Sequence, residues 1–190
     1  MPPDRARIRT LPSPWAGFLR GLDELLLRPV ELHCLGGFVL TVCHGLPRPT
    51  ADVDVFAILP AKEQSHLEEL AGRESKLARQ HRVHLQYVGV VSLPEDYEQR
   101  LFEIFPQQFR HLRILAPDPY DLVLSKLERN SPKDREDVEY LVKRVSLNPN
   151  VLLERYQKEF RPYLARPDWH DKTLDLWLDV CFPAAGDDAI

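Results

Sequence analysis

The stretch LHCLGGFVLTVCHGLPRPTADVDVF, residues 32–56, is the one around which the remaining chain arranges itself. It joins a glycine pair, Gly36-Gly37, to a short apolar segment, the turn Leu46-Pro47-Arg48-Pro49-Thr50, and Asp52 and Asp54 alternating with Val53 and Val55. In a strand, side chains two apart share a face, so both carboxylates project together while the valines face the other way. Their Cα atoms would be roughly 6 to 7 Å apart, and two unit charges at that separation repel by about 2 to 3 kcal/mol at an effective dielectric of about 20. A divalent cation reverses that sign. Hard oxygen donors suit Mg²⁺, which keeps several waters and is usually completed by substrate phosphates. The glycine pair lets backbone N–H groups meet a triphosphate, and Arg48 stands where it can neutralise phosphate charge. The plainer reading is a half-exposed strand with two solvated acids beside an ordinary turn cation. The order of the parts points instead to metal-dependent phosphoryl chemistry.

At 190 residues and 44% hydrophobic, the chain can bury one good core and is too short for two comfortable domains. Its formal charge of -4 rules out a blanket basic surface, so any polyanion must be held locally. Cys34, Cys43 and Cys181 are odd in number, with no CxxC pair and no histidine at ligand spacing. They read as buried small hydrophobes, not as a disulfide framework or a zinc site. The opening MPPDRARIRTLPSP has no long apolar run, and Leu25 to Leu27 is far too short to span a bilayer. The expectation is a soluble, cytoplasmic protein with no membrane partner.

Upstream of the glycine pair, Ser13-Pro14 reads as an N-cap with proline at the first helical position, and Phe18, Leu22, Leu25 and Leu26 recur at helical spacing until Pro29. Val30 to Leu35 reads as a strand and Phe38 to Cys43 as a short helix. Asp52 to Leu59 has the composition of a central strand. Ala61 to Gln80 is charged and helical, Val83 to about Val91 is a strand, Pro94 to Phe105 starts a helix, and Leu112 to Leu115 is a short strand. From Pro119 the pattern is helical, with later helices near Asn150 to Leu164 and Trp169 to Val180. Strands crowd the first half and helices the second, which predicts an α+β fold, a small mixed sheet backed by a helical C-terminal half. The expected division is 1–117 for the α/β core, 118–182 for the helices and 183–190 for a frayed tail.

Gly36-Gly37, the short helix, Arg48-Pro49-Thr50 and Asp52-Val53-Asp54-Val55 resemble the nucleotidyltransferase superfamily signature, a glycine pair followed by two aspartates alternating with hydrophobic residues. The Arg-x-Thr variant is similar to AbiEii-type toxins and to bacterial domains of unknown function. Those relatives carry a Lys-Leu pair in one helix and an Arg/Lys-Asp-x-x-Asp in the next. Ser125-Lys126-Leu127-Glu128-Arg129 and Lys133-Asp134-Arg135-Glu136-Asp137 match that order, so the resemblance covers roughly residues 32–141.

The second block can be read on its own chemistry as well. Lys126 lies on or beside the apolar stripe of its helix, where a lysine snorkels or meets an anion. By the resemblance that anion is nucleotide phosphate or the acid cluster. Asp134 also fits a capping signature with Ser131 as N-cap, and Asp137 can be a partly buried acid paired with Lys126 or Arg129. One departure stands out. Many members of the superfamily have a third metal-binding carboxylate on a later strand, whereas Val83 to Val91 contains no acid and has His84 and Gln86 on its polar face. Glu95 and Asp96 follow just beyond it. No GxGxxG, GxxxxGK[ST], GxSxG or HExxH is present. Trp15, Trp169 and Trp177 read as core anchors.

The resemblance therefore implies a nucleotidyltransferase moving an NMP from an NTP to a hydroxyl acceptor, either RNA such as a tRNA end or a protein. Asp52 and Asp54 would hold Mg²⁺, and Gly36, Gly37, Arg48, Thr50 and Arg129 would contact substrate. Lys126 would neutralise phosphate charge, with Asp134 or Asp137 orienting it or activating the acceptor. The implied setting is a toxin or defence system with an antitoxin-like partner. The alternative is a catalytically inactive module that binds nucleotide or a protein partner.

Overall fold

The computed structural model describes residues 11–48 and 50–182. Pro49 of the quoted turn, the first ten residues and the expected tail at 183–190 lie outside the described residues. Two compact units are present. One comprises the described residues up to Val91 together with Leu101–Asp118, and the other comprises Ser92–Arg100 together with the chain from Pro119 onward.

The first unit holds a five-stranded mixed sheet in the order β3-β2-β1-β5-β4. Its strands are β1 (Val30–Leu35), β2 (Asp52–Leu59), β3 (His84–Tyr87), β4 (Phe102–Ile104) and β5 (Leu112–Ala116). β1 runs antiparallel to β2 and parallel to β5, β2 runs parallel to β3, and β4 closes antiparallel on β5. The α+β class and the small mixed sheet are as the sequence predicts. Four helices belong to this unit, α1 (Trp15–Leu25), α2 (Gly36–His44), α3 (Gln64–Ala71) and α4 (Lys76–His81). Phe18, Leu19 and Leu22 of α1, Phe38 and Leu40 of α2, Leu32 of β1, and Val53 and Val55 of β2 are fully buried in its core. The Asp23 carboxylate near the end of α1 accepts the backbone N–H groups of Arg110, His111 and Leu112 at 2.9, 2.7 and 2.8 Å, which fixes the start of β5.

Several elements differ from the expectation. Helix α1 begins at Trp15 with Pro14 as its N-cap residue and no side-chain cap, so Ser13 is not the N-cap. Helix α2 begins at Gly36 itself, two residues earlier than expected. The Ala61 to Gln80 helix is three pieces, a 3₁₀ turn at Ala61–Glu63, then α3, then α4 with Ser75 as its N-cap. Gly72 makes the break, because a methyl there would overlap the Glu68 carbonyl. Strand β3 ends at Tyr87, and the expected Pro94 to Phe105 helix is a 3₁₀ turn at Tyr97–Arg100 followed by β4. Pairing with β5 overrides the helical composition there.

The second unit contains α5 (Pro119–Leu127), α6 (Pro132–Val145), α7 (Pro149–Arg155) and α8 (Pro167–Cys181). Helix α7 runs on through a π turn at Tyr156–Phe160 and a 3₁₀ turn at Arg161–Tyr163. Each of the four helices starts on a proline, whose missing N–H is not needed in the first turn. Asp121, with no exposed surface, takes Arg100 Nε and Nη2 at 2.9 and 3.1 Å and Arg155 Nη1 at 2.9 Å. The Glu95 amide donates to the Glu159 carbonyl at 2.9 Å, and these bonds attach the 92–100 segment to the helices. Trp177 is buried and its indole donates to Asn130 Oδ1 at 3.2 Å, whereas Trp169 is 45% exposed and is not the core anchor expected. All three cysteines are buried and free. Among the described residues no helix is long and apolar enough to cross a membrane.

Candidate active site

Alternation along β2 buries Val53 and Val55 and leaves Asp52 and Asp54 half-buried on the other face. The pairing partners of β2 then set what each carboxylate meets. Asp54 lies opposite Leu35, the last residue of β1, and α2 starts at the next residue, Gly36. Gly36 has φ +71°, and a methyl built on it would overlap Asp54 Oδ2. Only glycine combines that left-handed backbone with so close a carboxylate. The first turn of α2, whose N–H groups have no partner within the helix, thus brings the positive end of its dipole beside Asp54. Burial first, and then the negative charge of Asp54, pushes the Cys34 thiol well above its usual range.

Asp52 faces the other neighbour. The parallel register sets Asp52 opposite His84 and Asp54 opposite Gln86, and His84 Nε2 is 3.2 Å from Asp52 Oδ1. Arg73 Nε is 3.4 Å from the same nitrogen. One nitrogen cannot donate to Asp52 and accept from Arg73 at once, so the tautomer chooses between them. His84 and Gln86 stand beside the two aspartates on the strand where many superfamily members carry a third acid.

The turn residues complete the surroundings. Thr41 Oγ1 donates to the Arg48 carbonyl at 3.2 Å, tying the turn to α2. Thr50 Oγ1 accepts the Asp52 amide at 3.2 Å, and a methyl on Gly37 would stand 3.5 Å from Thr50 Cβ, an ordinary contact. The structure therefore brings Gly36, Gly37, Thr50, Asp52 and Asp54 together in the first unit, with Arg48 in the adjoining turn. Two carboxylates on one strand face are hard oxygen donors of the kind that would suit a magnesium ion completed by phosphate and water. Among the described residues no group of three or more His, Cys, Asp and Glu could hold a metal by itself.

Lys126, Arg129, Asp134 and Asp137 belong to the second unit and form a network of their own. Lys126, 5% exposed, donates to Asp137 Oδ2 at 2.7 Å and lies 3.6 Å from Asp134 Oδ1. Arg129 grips Asp134 with two bonds of 2.7 and 2.6 Å. Asp134 is also the N3 member of a capping box with Ser131. Burial pushes its carboxyl up, but the Arg129 and Ser131 hydrogen bonds and the Lys126 charge outweigh this and hold it well below the usual carboxylate range. The anion partner expected of Lys126 is thus carboxylate from α6, and the capping reading of Asp134 holds as well.

Arg73 is the neighbour that sequence reasoning missed. It lies in the Gly72–Ser75 break, which the charged run conceals.

A mixed sheet, a glycine-started helix and paired aspartates on the adjoining strand define a protein of the nucleotidyltransferase class. The chain belongs to the family described as nucleotidyltransferase of unknown function (DUF6036), whose model matches residues 23–176. That match bears out the superfamily resemblance and does not extend to AbiEii-type toxins. No curated protein matches the chain, and no solved structure does.

Proposed function

We propose that this protein transfers an NMP from an NTP to a hydroxyl acceptor, with Asp52 and Asp54 holding the Mg²⁺ that the chemistry requires. The observation that carries this reading is the close approach of Asp54 to Gly36 at the start of α2, which puts a carboxylate beside backbone N–H groups that have no partner within their helix. When bound, the metal supplies charge neutralisation and alignment for in-line displacement. Backbone N–H groups at Gly36 and Gly37 bind the triphosphate, and Arg48 neutralises its charge. Thr50 fixes the backbone at Asp52 through its hydroxyl. The acceptor oxygen forms its bond to the α-phosphorus as the bond to pyrophosphate breaks, and the acceptor proton passes to solvent. Lys126, Arg129, Asp134 and Asp137 support the reading through the resemblance. A toxin or defence setting with an antitoxin-like partner likewise rests on the resemblance alone.

The test is transfer of α-³²P label from each NTP, with Mg²⁺, to total RNA and to protein, alongside the Asp52→Ala, Asp54→Ala double variant. Label with the wild type and none with the variant is the expected result. Full transfer by the variant would sink the mechanism. A second reading, a nucleotide-binding module without turnover, draws on His84 and Gln86 standing where many members have an acid. It predicts that Mg²⁺ and NTP raise the melting temperature with no label transferred.

A further inference from the structure

Helix α8 carries a row of apolar side chains that its own unit leaves in solvent. Trp169, Leu176 and Val180 are 45, 63 and 69% exposed, and their spacing of seven and four residues sets them on one line along the helix. Single exposed apolar residues are ordinary, whereas a continuous row marks a docking face. Beside the row, between α6 and α8, lies a groove of about 300 Å³ lined by Val138, Trp177 and Cys181, all buried, together with Leu176 and Val180. Charge is divided across this face. Asp168, Asp175 and Asp179 follow the same spacing one residue earlier, so they form an acidic edge about 100° round the helix from the row, with Lys172 between them. On the groove side, α6 offers Arg135, whose Nε and Nη2 donate to Asn130 at 3.0 and 3.3 Å, and Glu139, which Lys143 neutralises at 2.6 Å.

The two helices run the same way. The Trp177 indole meets Asn130, which precedes α6, and further along α6 the side chains of Glu139 and Lys143 reach Cys181 at the end of α8. Burial pushes the Cys181 thiol up, with the charge of Glu139 adding to this and that of Lys143 opposing it. Arg135 therefore stands level with the middle of α8, where Thr173 and Trp177 share the groove with it and Asp175 lies between them in sequence. We propose that a second copy of this chain docks on the face, the two α8 helices lying side by side and in the same direction about a two-fold axis. The charges select this arrangement. An axis along the helices sets the acidic edge of each α8 against the Arg135 rim of the other copy at the same level, whereas an axis across them would bring the two acidic edges together. Leu176 and Val180 then pack against their counterparts and over the groove, which takes the row out of water. A guanidinium and a carboxylate at the rim pair in a planar fork. The pairing needs no nucleotide and does not depend on transfer activity.

The experiment is sedimentation velocity of the full chain at loading concentrations from about 1 to about 200 μM, alongside Val180→Lys, Arg135→Glu and the double variant Arg135→Glu, Asp175→Arg. The substituted side chains are exposed, and far-UV circular dichroism checks that each variant keeps the fold. The wild type should pass from one copy to two as concentration rises, and Val180→Lys should stay single. Arg135→Glu should weaken the dimer at least about ten-fold by setting like charges across the contact, and Asp175→Arg in the same chain should restore most of the loss. A wild type that stays single throughout overturns the second copy and leaves the face to a different protein. A dimer that Val180→Lys leaves intact overturns this face as the interface. A dimer that Val180→Lys abolishes and Arg135→Glu leaves unchanged overturns the same-direction pairing.

Discussion

Asp54 and Gly36 constrain each other, and the two glycines of the pair make the point separable. Gly36→Ala meets both a left-handed backbone and the Asp54 carboxylate, so it should cost at least about 1 to 2 kcal/mol in urea denaturation and displace Asp54. Gly37→Ala meets Thr50 at 3.5 Å with no backbone penalty, and should be neutral or, through helix propensity, stabilising by up to about 1 kcal/mol. Equal losses in the two would remove the argument. At Asp134 the sign of the pH effect follows from its lowered pKa. Its contribution is fully present above the unfolded value near 3.8 and is lost as pH falls below it. The stability difference between wild type and Asp134→Asn should therefore be flat at neutral pH and shrink in acid, measured by denaturation at stepped pH. Sequence periodicity could find the shared face of Asp52 and Asp54 and the anion beside Lys126, because both are local. The approach of His84 to Asp52 was out of its reach, since parallel register is set by tertiary pairing.

Among the elements, the ones read correctly are those whose pattern is long or sharply bounded. Asp52–Leu59 alternates and then runs apolar, so the strand was legible to the residue, and the serine–proline start at Ser131 gave the beginning of the Pro132–Val145 helix. Strand β4 is three residues long, too short to show a period, and the acidic run before it has helical composition that ends in a 3₁₀ turn. The interruption between α3 and α4 is local in origin, with Gly72 ending one helix and Ser75 starting the next. Ser75 Oγ accepts the Ala78 amide at 3.0 Å, so Ser75→Ala should cost about 1 kcal/mol by thermal or chemical denaturation. A larger element-level effect belongs to Asp23. Removing its carboxylate leaves three backbone N–H groups at the entry to β5 without their acceptor, and Asp23→Ala should cost roughly 2 to 3 kcal/mol. Retained stability in Asp23→Ala would mean that water replaces the carboxylate without penalty.

For the molecule as a whole, the chain leaves the sheet unit after Val91, contributes Ser92–Arg100 to the helical unit, and returns for β4 and β5. Composition gives no sign of this excursion, because the residues that hold it, Arg100 and Glu95, find their partners Asp121 and Glu159 far along the sequence. Asp121 is the centre of that attachment. Its carboxylate has no exposed surface and answers two guanidiniums, Arg100 and Arg155, while Arg100 also reaches Glu159 at 2.7 Å. Asp121→Asn keeps the shape and removes the charge, leaving two partly buried cations with one fewer anion. Breaking a buried pair from one side costs about 3 to 5 kcal/mol, so the helical unit should lose stability on that scale. Hydrogen exchange reads where the loss falls. Amides of the 92–100 segment, α5 and α7 should lose protection first, while those of β1 and β2, whose hydrogen bonds involve no residue of this network, should keep theirs. Uniform loss across the sheet strands would show that Asp121 supports the whole molecule and not this attachment.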